Sequence, residues 1–226
     1  MPTPSFTHAQ ILNEMHSCDA AGCSLPRSGI NRWCSDHLNK ARRYGHPAAG
    51  PLRPNRWATE RAQVRALLGA NVDHPGLQQV LAMLSAWMAK GSANESSYPG
   101  AEEVARLSRH GVSALDILVE VCAFWCWLQV NPRSLPQGGA DGARAVDFAL
   151  SRAVFHLAPR PQRVAWPSQT SYSRKARSSA LAHIGRHLRQ TLAPFLVNVS
   201  HHVEPPEAKA ARAAEAMKAP FFRPFL

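Results

Sequence analysis

The chain has 226 residues, is 45% hydrophobic and carries a formal net charge of +11; the length allows one or two domains, and the apolar content suffices to bury a core. Five cysteines make no disulfide framework. The opening MPTPSFTHAQILNEMHS lacks the basic and apolar regions of a signal peptide, and the longest apolar run, Val112 to Val130, holds Asp116 and Glu120 and makes a poor bilayer span. The expectation is a cytoplasmic protein of a reducing compartment with no membrane role.

Residues 5–16 read as a short helix with Ile11, Leu12 and Met15 on one side. Next comes CDAAGCSLPRSGINRWCSDH, in which Cys18, Cys23, Cys34 and His37 are spaced Cys-x4-Cys-x10-Cys-x2-His. Zn2+ takes four N/S ligands tetrahedrally, and structural sites use two ligand pairs that the fold brings together. The first pair flanks a turn of Asp19, Ala20, Ala21 and Gly22. The second is spaced like the start of a helix, where i and i+3 face the same way. Gly22 and Gly29 supply the turns of a tight knuckle. The segment has no core of its own, so metal binding would supply its folding energy. His16 and His46 lie close enough in sequence to substitute for His37.

After His37 the chain continues LNKARRYGHPAAGPLRP. From Cys18 through Arg42, Arg43 and Gly45-His46-Pro47, the run resembles a small treble-clef-like zinc module. Such modules head many phage and mobile-element proteins, including some homing-type HNH endonucleases, where they contact DNA. The resemblance covers residues 16–50. It implies Cys18, Cys23, Cys34 and His37 as ligands and Lys40, Arg42 and Arg43 as a basic helix behind them.

Gly and Pro then interrupt the chain as far as Trp57, and residues 51–57 read as a linker. From Ala58 helical periodicity dominates. Val64, Leu67 and Leu68 mark one helix, broken at Asn71, Pro75 and Gly76. Residues 76–89 form an amphipathic second, and GSANESSYPG is a loop. A short helix covers 100–109. Ser113 is placed to cap the next, SALDILVEVCAFWCWLQV, which is apolar almost all round and reads as the central buried helix. Its Cys122 and Cys126 read as core groups. Pro132, Pro136, Gly138 and Gly139 end it. Another helix covers 142–157. APRPQRVAWPSQTS is a loop, and Ser173 caps a helix that runs to Leu192 and continues past Pro194 through a kink. EPPEAKAARAAEAMKA reads as an Ala-rich helix before an apolar tail. The expected fold is mainly α: an N-terminal module (1–50), the linker, a helical domain (58–203) and a helical arm with its tail (204–226).

The charge is unevenly spread. Residues 17–65 hold nine bases and three acids, residues 66–147 five and eight, and residues 148–203 eight bases and no acid. Twenty-one of the 26 bases are arginine, which favours bidentate phosphate contact. Two basic blocks point to two surfaces for a polyanion. The first offers Lys40, Arg42, Arg43, Arg53 and Arg56. In the second, a helical projection puts Leu181, Ile184, Leu188 and Leu192 on one face and Lys175, Arg186 and Arg189 on its neighbour, with Arg160, Arg163, Trp166 and Tyr172 in the preceding loop.

A helix-turn-helix around Gly111 fails because the following helix is too apolar to enter a groove. His201 and His202 lack the hairpin that an HNH nuclease needs, and no other enzyme motif occurs. The expectation is a zinc-containing accessory protein that binds nucleic acid, DNA before RNA, and is not an enzyme. The competing readings are a protein-interaction module with a purely structural zinc, and, third, a nuclease. Phe221, Phe222 and Phe225 either dock on a partner or pack back on the domain.

Overall fold

Helical periodicity carries through to the fold. The computed structural model describes residues 6–93, 100–136, 138–159 and 178–203. Among these are nine α-helices and no strand: α1 (Phe6–Glu14), α2 (Ser35–Tyr44), α3 (Ala58–Ala70), α4 (Pro75–Ala93), α5 (Ala101–Arg109), α6 (Ala114–Val130), α7 (Gly139–Phe155), α8 (Ser178–Thr191) and α9 (Ala193–His202). Arg160, Arg163, Trp166, Tyr172, Ser173, Lys175, the Ala-rich segment and Phe221, Phe222 and Phe225 lie outside the described residues.

Helix α6 organises the body. Its start is a capping box: the Ser113 hydroxyl accepts the Asp116 N–H at 3.1 Å, and the Asp116 carboxylate accepts the Ser113 N–H at 3.3 Å. It is apolar on nearly every face and packs against α3, α4, α7 and α9. Ile117, Leu118, Val121, Cys122 and Phe124 are fully buried. Each side chain of the size of Phe124 or Leu118 contributes about 1.5–3 kcal/mol by leaving water. Pro132 ends the helix, and the Asn131 side chain donates at 3.0 Å to the Trp127 carbonyl, which also accepts the Asn131 backbone N–H.

Several boundaries move from expectation. Helix α4 runs on to Ala93, because Gly91 is buried against the core and continues the helix. Helix α7 begins at Gly139, with Gly138 at positive φ as its N-cap. Pro194 starts a new helix instead of kinking the old one. It sits in the first turn of α9, where a missing N–H costs nothing. Ile11 and Leu12 of α1 face solvent, 57% and 49% exposed, as does Met15 just beyond its end, 78% exposed. Polar contacts hold α1 instead. Asn13 Nδ2 donates to the carbonyls of Gly29 (2.7 Å) and Asn31 (2.8 Å), and the Glu14 carboxylate accepts the Gly29 N–H.

Trp57, at the end of the Gly/Pro-rich stretch, is 1% exposed and belongs to the core. A 3-10 turn over Pro54–Trp57 drives it inward. Its ring meets Phe124 edge-on at 5.2 Å and Trp127 at 5.6 Å. Its indole N–H donates at 2.7 Å to Glu120, a carboxylate buried in the middle of α6. Arg61 completes the group with two bonds to Glu120, at 2.6 and 2.9 Å. A buried carboxylate is tolerable when its lone pairs are taken in this way.

Helices α7 and α8 come closest at Gly185. A Cβ there would stand 1.6 Å from the Asp147 carbonyl oxygen, so only glycine permits the crossing. At the same crossing the buried Asp147 carboxylate receives Arg189 at 2.6 Å, with Arg186 at 3.6 Å. Leu181, Ile184, Leu188 and Leu192 face inward, as the helical projection requires.

Candidate metal centre and basic face

The ligand group assembles from two local structures. The first is a knuckle. The Cys18 N–H donates to the Leu25 carbonyl at 2.8 Å and the Cys23 N–H to that of Ala20 at 3.0 Å, with Gly22 at φ 74° closing the turn. Residues 28–33 fold back through an N–H of Ser28 bonded to the Trp33 carbonyl at 2.9 Å. The second structure is the first turn of α2. Cys34 is its N-cap and His37 lies three residues on, so both side chains point back to the knuckle.

Cys18, Cys23, Cys34 and His37 thereby converge, with ligand atoms all within 4.8 Å of one another. Cys23 Sγ and Cys34 Sγ are 3.9 Å apart, and His37 Nδ1 lies 3.5 Å from Cys18 Sγ and 3.3 Å from Cys34 Sγ. A tetrahedral ion with metal–sulfur bonds of about 2.3 Å and metal–nitrogen bonds of about 2.0 Å sets edges of about 3.8 Å (S···S) and 3.5 Å (S···N). These three distances match the edges of a tetrahedral site, and the four side chains lie close enough together to hold a metal ion. Burial would raise the Cys18 thiol, but backbone N–H groups of Cys34 and Ala20, with the His37 and Cys34 side chains, outweigh it and bring the pKa down to about 7. At Cys23 a backbone bond from Leu25 lowers the value, but burial and the neighbouring thiols prevail and raise it. His16 and His46 lie outside the group. His46 is turned elsewhere, its Nδ1 accepting the Ala48 N–H at 3.0 Å.

Helix α2 is anchored at both ends. Its C-cap, Gly45 at φ 83°, returns an N–H to the Ala41 carbonyl and lies so close to α7 that a Cβ would meet Phe148 at 2.6 Å. Ala41 is buried and Tyr44 packs against the core. At 100° per residue the remaining arc of α2 carries Lys40, Arg42 and Arg43, all exposed. Arg53 and Arg56 are exposed as well. None of these five has a carboxylate partner among the described residues.

The second basic face is different. The Asp147 carboxylate draws in both Arg186 and Arg189, and Arg189 is largely covered, with 30% of its side chain exposed. The lack of acids in residues 148–203 hid this, because the partner lies one residue outside that window, on α7. Cys122 and Cys126 are buried in the core. Burial pushes Cys122 well above the ordinary thiol value and Cys126 up to about 12.

One feature beside the ligand group has no counterpart in the sequence reading. A cleft of about 310 Å³ lies between the knuckle and the start of α7, and Arg32, Trp33, His37, His46, Pro47 and Asp141 are among the residues that line it. Arg32 donates to Asp141 at 2.7 Å across 109 positions of sequence and lies over the Trp33 ring at 4.5 Å. No local pattern signals a pair so distant.

Among the described residues no single helix is long and apolar enough to cross a membrane. Set against known protein families, curated proteins and solved structures, the chain matches none of them.

Proposed function

We propose that this chain is a zinc-containing nucleic-acid-binding accessory protein, with DNA as the expected polyanion and no catalytic step of its own. The observation that carries the reading is the double use of α2. Its first turn supplies Cys34 and His37 to the ligand group, and its outer arc presents Lys40, Arg42 and Arg43 without acidic partners. Three thiolates and one imidazole at tetrahedral spacing are a donor set suited to zinc. The ion would fix the first turn of α2 and with it the aim of the cations. A knuckle pair followed by a helix-start pair also supports the resemblance to treble-clef-like modules of phage and mobile-element proteins. Arg53 and Arg56 extend the cationic surface. Arg186 and Arg189, engaged with Asp147, take a structural role in this reading.

The test is the salt dependence of binding to duplex DNA. Each neutralised phosphate adds about 0.9 to the slope of log K against log salt. Arg42→Ala with Arg43→Ala is expected to weaken binding and to reduce the slope by about 1.8. Absence of binding to DNA or RNA at ~50 mM salt overturns the proposal.

One observation favours a protein partner as the second reading. Ile11, Leu12, Met15, Leu25 and Ile30, all on or beside the knuckle, are between 49% and 78% exposed. A module with a structural zinc and an apolar contact surface would keep the metal and show no salt-dependent nucleic-acid binding.

A further inference from the structure

We propose that the cleft beside the ligand group is a nucleobase pocket that takes guanine from an unpaired strand; the proposal rests on the nucleic-acid reading above and adds a base preference to it. The volume of about 310 Å³ admits one base and excludes a duplex. Trp33, Pro47 and the methyl groups of Ala20, Ala21 and Ala48 line it with apolar surface suited to a ring. Unpaired bases are commonly held by such surfaces and read along their polar edges.

The reading groups are Arg32 and Asp141. Their side chains are 50% and 51% exposed, so their ion pair adds little to stability. It does place a row of donors beside a row of acceptors. Guanine has the complementary edge: O6 and N7 accept from a guanidinium, while N1–H and N2–H donate to a carboxylate. Cytosine offers the carboxylate one donor group in place of two. Uracil and thymine offer it only N3–H, flanked by two carbonyl oxygens, and adenine gives the guanidinium N7 alone, without an adjacent oxygen. Arg32 is held by Asp141 on one side and by the Trp33 ring on the other, so less side-chain entropy is lost on binding. His37 lines the same cleft, which brings a bound base beside the metal's coordination shell.

The experiment uses the full, metal-loaded protein and fluorescent eight-residue thymidine strands carrying one central guanine, adenine or cytosine. Anisotropy at fixed salt is expected to show the guanine strand binding at least about fivefold tighter than the all-thymidine strand, the low end of what a bidentate base contact discriminates. Asp141→Asn should erase that preference, so that the variant binds the guanine, adenine, cytosine and all-thymidine strands alike at each salt concentration. Asp141 is exposed, and circular dichroism checks that the variant folds as the parent does. With cobalt in place of zinc, the visible d–d bands should shift with the guanine strand and not with the all-thymidine strand. Equal affinity for all centres, preference for cytosine or adenine, or a guanine preference that survives Asp141→Asn overturns the pocket and leaves the nucleic-acid reading standing. Failure to bind any strand, or duplex DNA, removes both.

Discussion

Gly185→Ala is the sharpest test of the helical packing, because helix propensity and tertiary structure predict opposite signs. In an isolated helix alanine is better than glycine by about 0.8–1.0 kcal/mol. Here the new Cβ would lie 1.6 Å from the Asp147 carbonyl oxygen, 2.4 Å from its carbon and 2.9 Å from its Cα. All three are backbone atoms, so no rotamer change relieves the clash. A Cβ is essentially never found closer than 3.0 Å to such an atom, so α7 and α8 must part by about 1.4 Å. Overpacking of this kind costs about 1–3 kcal/mol or more. The same displacement stretches the 2.6 Å contact between Arg189 and buried Asp147, where an unpaired carboxylate is costly. The expected net effect is a destabilisation of about 1–3 kcal/mol, a fall in Tm of about 3–10 °C. Gly69→Ala is the control. It lies in α3 with nothing within 4 Å of its Cβ position and should raise stability by up to about 1 kcal/mol. Urea unfolding followed by circular dichroism reads both variants. If Gly185→Ala matches the control in sign, the close crossing of α7 and α8 is wrong.

Elemental analysis of protein purified without chelator should give one zinc per chain, and Cys34→Ser should lose it; no zinc, or zinc retained in that variant, refutes the ligand set. Glu120→Gln strips the charge that Arg61 and Trp57 share and should cost about 3–5 kcal/mol in urea unfolding, as removal of one partner from a buried pair does. A loss under about 1 kcal/mol would mean that the group behaves as a surface pair. Cys122 and Cys126, with thiol values raised by burial, should resist labelling in the native metal-loaded protein and react only after denaturant is added; rapid native labelling contradicts their place in the core.

The sequence made the metal ligands and the central helix readable for the same reason: each is a local pattern. Cys18, Cys23, Cys34 and His37 lie within 20 residues, and turn chemistry plus helix spacing brings them together. The all-round apolar character of α6 needs no partner to be seen. What stayed hidden depends on distance. Trp57 looks like the end of a linker until Glu120, 63 positions on, gives its indole an acceptor. Arg189 looks like a free cation until Asp147, 42 positions earlier, is placed against it. Gly185 carries no signal at all, since its meaning lies in the backbone of another helix. Helix α1 was legible from its periodicity, but how it sits was not: Asn13 and Glu14 decide that through contacts to residues 29–31.

The position of α6 bears on how the chain is made. Its covering helices come from both directions, α3 and α4 before it and α7 and α9 after it. As the ribosome delivers the chain, α6 emerges with only its earlier partners available, and Phe124, Val121 and their neighbours wait for some seventy further residues before they are enclosed. Nascent segments of this kind are the usual clients of chaperones, and a chain stopped short of α7 is expected to aggregate instead of settling as a smaller domain. The four candidate metal ligands precede the helical body in the chain and could close around a metal before it exists, although α2 gains its packing against Phe148 only once α7 has followed.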